Sequence, residues 1–428
     1  PTRTTNTTIA QHRVNSKKRC HQTKNNDNNY WNTPTQLNNR SRKDMYNIDT
    51  EYALLHLTLM YSRSSVVYHY ADKLEHEMKQ LERDLNNNST TGKCDNNSIF
   101  NQLFRYHCIL TGIYLLNANL DKAQYHGSRL EHWKSKIMEN QNDNHSHDEQ
   151  CLTLSQENEL FARSLQCWLS GDLEQSVLVH QDLLQKYPRN LFCLFFVYQH
   201  AIILYHMSWL HTMFESHILP AFSLSTKNGQ DDQVFCATTV IDKLLKKSKS
   251  DDEVGDNLHD DWFNLQFVHY VQGMYCFVLE EMSRMKEAEK FGLDSLNNYN
   301  HFTNFIDQYA DRVRGGCYGK DTNDQSSQLV FIQPWTHHSL CHVYHTNGRF
   351  SEGIQFMRQH CMDWHRCDAF LQTHNYWHLA LLYLDRNQRG DVEECLSLYK
   401  NHVWIEKGCQ ASTEEKNSRK RAQERDEN

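Results

Sequence analysis

One layout recurs along the chain and constrains its fold more than any other feature. Leu160, Leu165, Trp168 and Leu169 lead into Gly171-Asp172-Leu173, and Ser176, His180, Leu183, Leu184, Tyr187 and Pro188 follow. Apolar residues spaced by threes and fours, a small turn residue, a second such run and a closing proline describe two helices joined by a tight turn, about 34 residues in all. The turn needs a small residue because the chain reverses within very few positions. Phe263–Asn298 repeats the layout with Gly273, Tyr275 and Leu279, then Ser283, Met285, Ala288, Phe291 and Leu296. Trp335–Trp364 repeats it again with Leu340, Val343, Gly348, Phe350, Gly353, Ile354 and Phe356. His374–Trp404 is a less regular copy, with Gly390, Val392, Leu396, Tyr399 and Val403. Asn190–Met207 with Trp209–Phe222, Ile99–Leu116 with Leu120–Met138, and Asp49–Leu85 read as further hairpins. Such a unit buries its apolar face only by stacking on neighbours. The expected fold is therefore all-α, a right-handed superhelical array of antiparallel helix hairpins, an α-solenoid with first helices on the concave side.

Composition agrees with this reading. Five prolines and 15 glycines in 428 residues are too few for a turn-rich β-sandwich or barrel. The mean hydropathy of −0.79 is polar, but Asn-, Gln- and Asp-rich stretches such as Asn86–Asn97 and Asn140–Gln150 cause the deficit. These stretches interrupt the apolar segments and do not replace them. The expected organisation is a disordered polar segment over residues 1–45, the helical array over 46–407 and a charged tail over 408–428. Polar insertions are expected near 139–150, 226–261 and 311–327, the second with a helical piece. The chain opens at Pro1 and not Met, as a processed or partial chain does.

A net charge of −8 gives no reason to expect nucleic-acid binding. The basic run Arg419–Arg421 sits among Glu414, Glu415, Glu424 and Asp426 and reads as a solvated tail. Leu191–Leu204 is the most apolar stretch, but Gln199 and His200 interrupt it, so a buried helix is expected and no membrane span. The 14 cysteines form no Cys-x-x-Cys pair or disulfide-like framework, which fits reduced thiols and a cytoplasmic setting.

Candidate chemistry is confined to histidines. Thr336–His345 places His338 and His342 four residues apart, with His345 three further on, and Thr373–His378 does the same for His374 and His378. That spacing puts each pair on one helix face. Both pairs lie on first helices, as do His200 and Tyr275, so a groove lined by His200, Tyr275, His338, His342, His374, Asn375 and His378 is expected. Histidine in such a groove can bind metal, exchange protons or only hydrogen-bond across a helix interface. The zinc-protease helix signature His-Glu-x-x-His is absent, as are a phosphate-binding glycine loop, a nucleophile elbow and a dinucleotide fingerprint. Cys341 adjoins His342, and adjacent residues do not share a helix face, which disfavours a Cys/His nucleophile pair.

These residues also carry a resemblance. Gly171-Asp172-Leu173…Pro188, Tyr270-Val271-Gln272-Gly273-Met274-Tyr275…Leu279-Glu280, Trp335-x-x-His338-x-x-x-His342 with Gly348-Arg349-Phe350-x-x-Gly353, and Thr373-His374-Asn375-Tyr376-Trp377-His378 resemble the tetratricopeptide repeat protein 38 family. The match runs from about Asp49 to about Lys407 and is strongest after Phe263. It implies a helical repeat protein of uncertain biochemical function. The family continues with further helices beyond the position of Trp404, which implies an exposed apolar end face here. Where the family pattern has a carboxylate, this chain has Ala201 and His345. Both changes argue against a two-histidine-plus-carboxylate metal site or a carboxylate base. The function expected is a scaffold that holds a protein, peptide or small ligand in the groove, with no cofactor and more plausibly without catalysis. The alternative is a metal or hydrolase-type site built from the histidine pairs.

Overall fold

The computed structural model describes residues 54–55, 58–59, 64–87, 93–142, 154–224, 237–247, 256–313 and 333–404. These residues are helical, with no β-strand among them. The segments 1–45 and 408–428, and most of the three expected insertions, lie outside the described residues.

Helices α1 (Ser64–Asn87), α2 (Lys93–Leu116) and α3 (Leu120–Asn142) come first, followed by α4 (Gln156–Leu169) and α5 (Leu173–Lys186). Next come α6 (Leu191–Ile203) and α7 (Met207–Met213), which runs on through a π-helical turn at Phe214–Ile218. Then α8 (Ala237–Lys247) precedes the long pair α9 (Asp256–Glu281) and α10 (Met285–Val313). The last two hairpins are α11 (Pro334–Thr346) with α12 (Phe350–His360), and α13 (Ala369–Arg386) with α14 (Asp391–Leu398). Within the expected 226–261 insertion, α8 is the helical piece. Helix α9 begins at Asp256, inside the same expected stretch. Likewise the last copy begins at Ala369 and not His374.

Short polar residues start these helices where the sequence breaks. Ser155, Asp172, Asn190 and Asp368 each accept a hydrogen bond from the backbone N–H three residues on, at 3.1, 3.0, 3.0 and 2.7 Å. Each cap is worth about 1 kcal/mol. The α11–α12 turn passes through Gly348 with φ +67°, a left-handed conformation that costs glycine little.

Packing between successive hairpins places the site. Helix α11 lies against α9, α10, α12 and α13, so α9, α11 and α13 sit side by side. A Cβ at Gly273 would come within 2.2 Å of Thr336 Oγ1, so α9 and α11 approach at a bare backbone. Ser295 Oγ on α10 donates to His269 O at 2.6 Å and lies 3.2 Å from Thr336 Oγ1, joining the three helices. Helix α6 is apolar on every face and buried from Leu191 to Tyr198, as a core helix should be. No helix among the described residues is long and apolar enough to cross a membrane.

Candidate metal centre between the last two hairpins

The i, i+4 spacing directs His338 and His342 of α11 toward α13, and His374 and His378 of α13 back toward α11. His338 is fully buried, His378 is at the burial limit, and His374 and His342 are partly exposed. The Nε2 atoms of His338 and His374 lie 2.9 Å apart, those of His338 and His378 3.1 Å, and those of His374 and His378 3.1 Å. His342 stands outside this triangle. Its Nε2 approaches that of His378 at 3.1 Å, and its Nδ1 faces Glu280 Oε2 of α9 at 3.4 Å.

The triangle cannot be satisfied by hydrogen bonds. A ring nitrogen either carries a proton and donates, or carries a lone pair and accepts. Among three mutually adjacent nitrogens at least one pair must then be donor against donor or lone pair against lone pair. A cation that accepts all three lone pairs removes the conflict.

The dimensions suit such a cation. Nitrogens 2.9–3.1 Å apart lie on a circle of radius roughly 1.75 Å, so an ion with M–N bonds of about 2.05 Å would sit roughly 1.1 Å above their plane. Rings aimed along their Nε2 lone pairs at that ion would have centroids roughly 4.7 Å apart. The observed separations are 4.7, 4.8 and 4.5 Å. Among the described residues, His338, His374 and His378 offer ligand atoms that all lie within 4.8 Å of one another.

The electrostatics keep these imidazoles in their ligand form. Burial holds His338 well below the usual histidine range, and the neighbouring His342, His378 and His374 push the same way. Burial lowers His378 to about 2, with His342, His374 and His345 adding to the effect. His374 is lowered mainly by burial. Neutral imidazole is the form that coordinates metal.

Aromatic rings wall the cluster. Trp335 stacks on His338 at 4.8 Å and donates its indole N–H to Tyr198 Oη at 2.5 Å. Phe277 lies 5.9 Å from His338. On the outer side, exposed Phe370 stacks on His374 at 5.3 Å.

The remaining candidates go elsewhere. Asn375 donates from Nδ2 to Pro334 O at 3.2 Å, tying α13 to the start of α11, and does not join the histidines. His200 is buried edge-on against Trp168 at 4.4 Å, with His180 at 5.9 Å. Tyr275 donates to Glu215 at 3.0 Å and packs on Phe214 and Phe291. All three share first helices with the cluster or its neighbours, but rotation about the helix axis turns His200 and Tyr275 into other interfaces. The expectation that Ala201 and His345 leave the site without acidic partners also needs correction. Glu280 reaches His342 from the preceding hairpin, and Asp385 meets His345 at 2.5 Å. Glu280 is the neighbouring carboxylate that the local sequence pattern missed. Its signal was its place in the last turn of a first helix, one hairpin before the histidines.

No known family model matches the chain, and no solved structure is significantly similar to it.

Proposed function

We propose that the protein is a tetratricopeptide-type helical repeat protein whose working centre is a divalent transition-metal site held by His338, His374 and His378. The observation that carries this reading is the triangle of Nε2 atoms at 2.9–3.1 Å, which hydrogen bonding alone cannot satisfy. All-imidazole ligation suits zinc, copper, nickel or iron over calcium or magnesium. The short-turn hairpins and the side-by-side α9, α11 and α13 support a right-handed superhelical array. The motifs at Gly171–Pro188, Tyr270–Glu280, Trp335–Gly353 and Thr373–His378 support placing it with the tetratricopeptide repeat protein 38 family. Cys108, Cys167, Cys193, Cys276, Cys341, Cys361 and Cys395 are free thiols, which supports a cytoplasmic setting.

Metal analysis of protein purified without a histidine tag tests the reading. Near-stoichiometric zinc, or uptake of one equivalent with a gain in stability of about 2.7 kcal/mol at 100 times Kd, is expected. Metal-free protein whose melting is unchanged by zinc, manganese or iron would contradict it.

A second reading, the interaction scaffold, is favoured by one feature. Val392, Leu396 and Trp404 at the last helix are exposed and apolar, as partner surfaces are. Leu396→Asp with Trp404→Ala should release a protein captured by the wild type; unchanged capture would remove this face from consideration.

A further inference from the structure

The metal reading leaves two groups beside the triangle unassigned, His342 and Glu280, and the following inference rests on that reading. Three imidazoles leave a tetrahedral ion with one further position, taken in catalytic sites by water and in structural sites by a fourth side chain. The group beside the triangle is itself an imidazole. Its Nε2 lies 3.1 Å from that of His378, and tetrahedral ligands with bonds of about 2.05 Å stand roughly 3.3 Å apart. The His342 ring centroid is 4.4 Å from those of His338 and His378, close to the 4.5–4.8 Å found within the triangle. The four rings therefore pack as one group.

Glu280 orients this fourth ring. It is buried, and its Oε2 has no hydrogen bond, which is costly for a carboxylate oxygen. The group facing it is His342 Nδ1 at 3.4 Å. A neutral imidazole has one N–H and one lone pair. With the N–H on Nδ1 toward Glu280, Nε2 carries the lone pair and presents it to the cluster. The other tautomer would set a lone pair against Glu280 and crowd a further donor among the Nε2 atoms. Metal-bound histidines show this same orientation, with the far N–H donated to a carboxylate or a carbonyl.

We propose that His342 is the fourth ligand and Glu280 its positioning residue, so that the centre is a closed structural site clamping three successive hairpins. On metal uptake a small turn of the His342 ring brings Nε2 to the ion and shortens the contact between Nδ1 and Glu280. Helix α11 supplies two ligands and α13 the other two, while Glu280 draws in α9 through its hydrogen bond. Metal occupancy then sets how firmly the last hairpin, α13 with α14, docks on those before it.

The test uses full-length protein loaded with zinc or cobalt. X-ray absorption of the zinc form should show four nitrogen ligands at about 2.0–2.1 Å. Azide should leave the visible spectrum of the cobalt form unchanged, because no position is free. His342→Ala should still take up one equivalent of zinc, about 100-fold more weakly, and its cobalt spectrum should now respond to azide. Glu280→Gln should weaken zinc binding by about 10–100-fold and shift the cobalt bands, which a carboxylate serving only to hold α9 would not do. Zinc at 100 times Kd should slow tryptic cleavage after Arg366, between α12 and α13, by about 100-fold, the linkage expected when opening releases the ion. A wild-type cobalt spectrum that shifts with azide, or unchanged zinc affinity in His342→Ala, would mean an open three-histidine site. Either result would overturn this inference while leaving the metal reading intact. Cleavage indifferent to zinc would overturn the clamp. Failure to take up zinc or cobalt at all would overturn the metal reading, and this inference with it.

Discussion

Two groups of buried histidines in this molecule look alike in sequence and differ in chemistry. His180 of α5 and His200 of α6 are buried between helices, as are His338 and His378. Their rings, however, meet at 5.9 Å, and His200 is turned edge-on to Trp168, with both ring nitrogens aimed at nothing polar. His180 Nδ1 is spent on Ser176 O of its own helix at 2.8 Å. Around His338, by contrast, three Nε2 atoms crowd within 3.1 Å. What separates a ligand set from packing is therefore convergence of lone pairs, since burial and a depressed pKa are common to both.

The largest expected effect sharpens that contrast directly. His338→Ala, His374→Ala and His378→Ala should each weaken zinc binding by at least about 100-fold, or about 2.7 kcal/mol. His200→Leu should leave zinc affinity within about twofold. Chelator-competition titrations of the four variants give the comparison, and equal losses at His200 and His338 would erase it.

Acid is the next lever, and it acts through the packing histidines. Burial lowers His107 and His180 to about 3 and His200 to about 4. Their folded-state pKa values lie below the unfolded value near 6.5, so the unfolded chain binds more protons below that pH. Stability is therefore complete above about 6.5 and falls as pH drops toward 4, by about 1.4 kcal/mol per pH unit per histidine. Urea unfolding of the metal-free protein at pH 7 and pH 5 should show this loss, and His200→Leu should lessen the pH slope by about one proton. A slope unchanged by that substitution would mean that His200 is not held neutral by burial.

The smallest effect is expected at His345, next to the site in sequence. Its pairing with Asp385 is at the surface, with the two side chains 34% and 48% exposed. Exposed pairs contribute about 0–1 kcal/mol. His345→Ala should accordingly change neither thermal stability measurably nor zinc affinity; a loss comparable to that at His338 would place His345 in the site.

Much of the architecture was legible because helices advertise themselves by period. The Gly171, Gly348 and Gly390 turns fall where the apolar runs break, and each has positive φ. The pairing of His338 with His342, and of His374 with His378, followed from 3.6 residues per turn. That the two pairs meet needed only that α11 and α13 be neighbours. The fate of His200 and Tyr275 was not legible, because a few tens of degrees of rotation decide which interface a residue enters, and facing side chains set that rotation. Glu280 was hidden for a related reason: a carboxylate absent from the local motif arrives through packing from α9. Reading Ala201 and His345 as a loss of acidic partners assumed that partners must come from the same repeat.

Anomalous diffraction at the zinc edge, on crystals of the full-length protein grown with one equivalent of zinc, tests the central claim most directly. The account predicts a single strong peak about 2.0–2.1 Å from Nε2 of His338, His374 and His378 together. No peak there, or one held instead by His180 and His200, would contradict it.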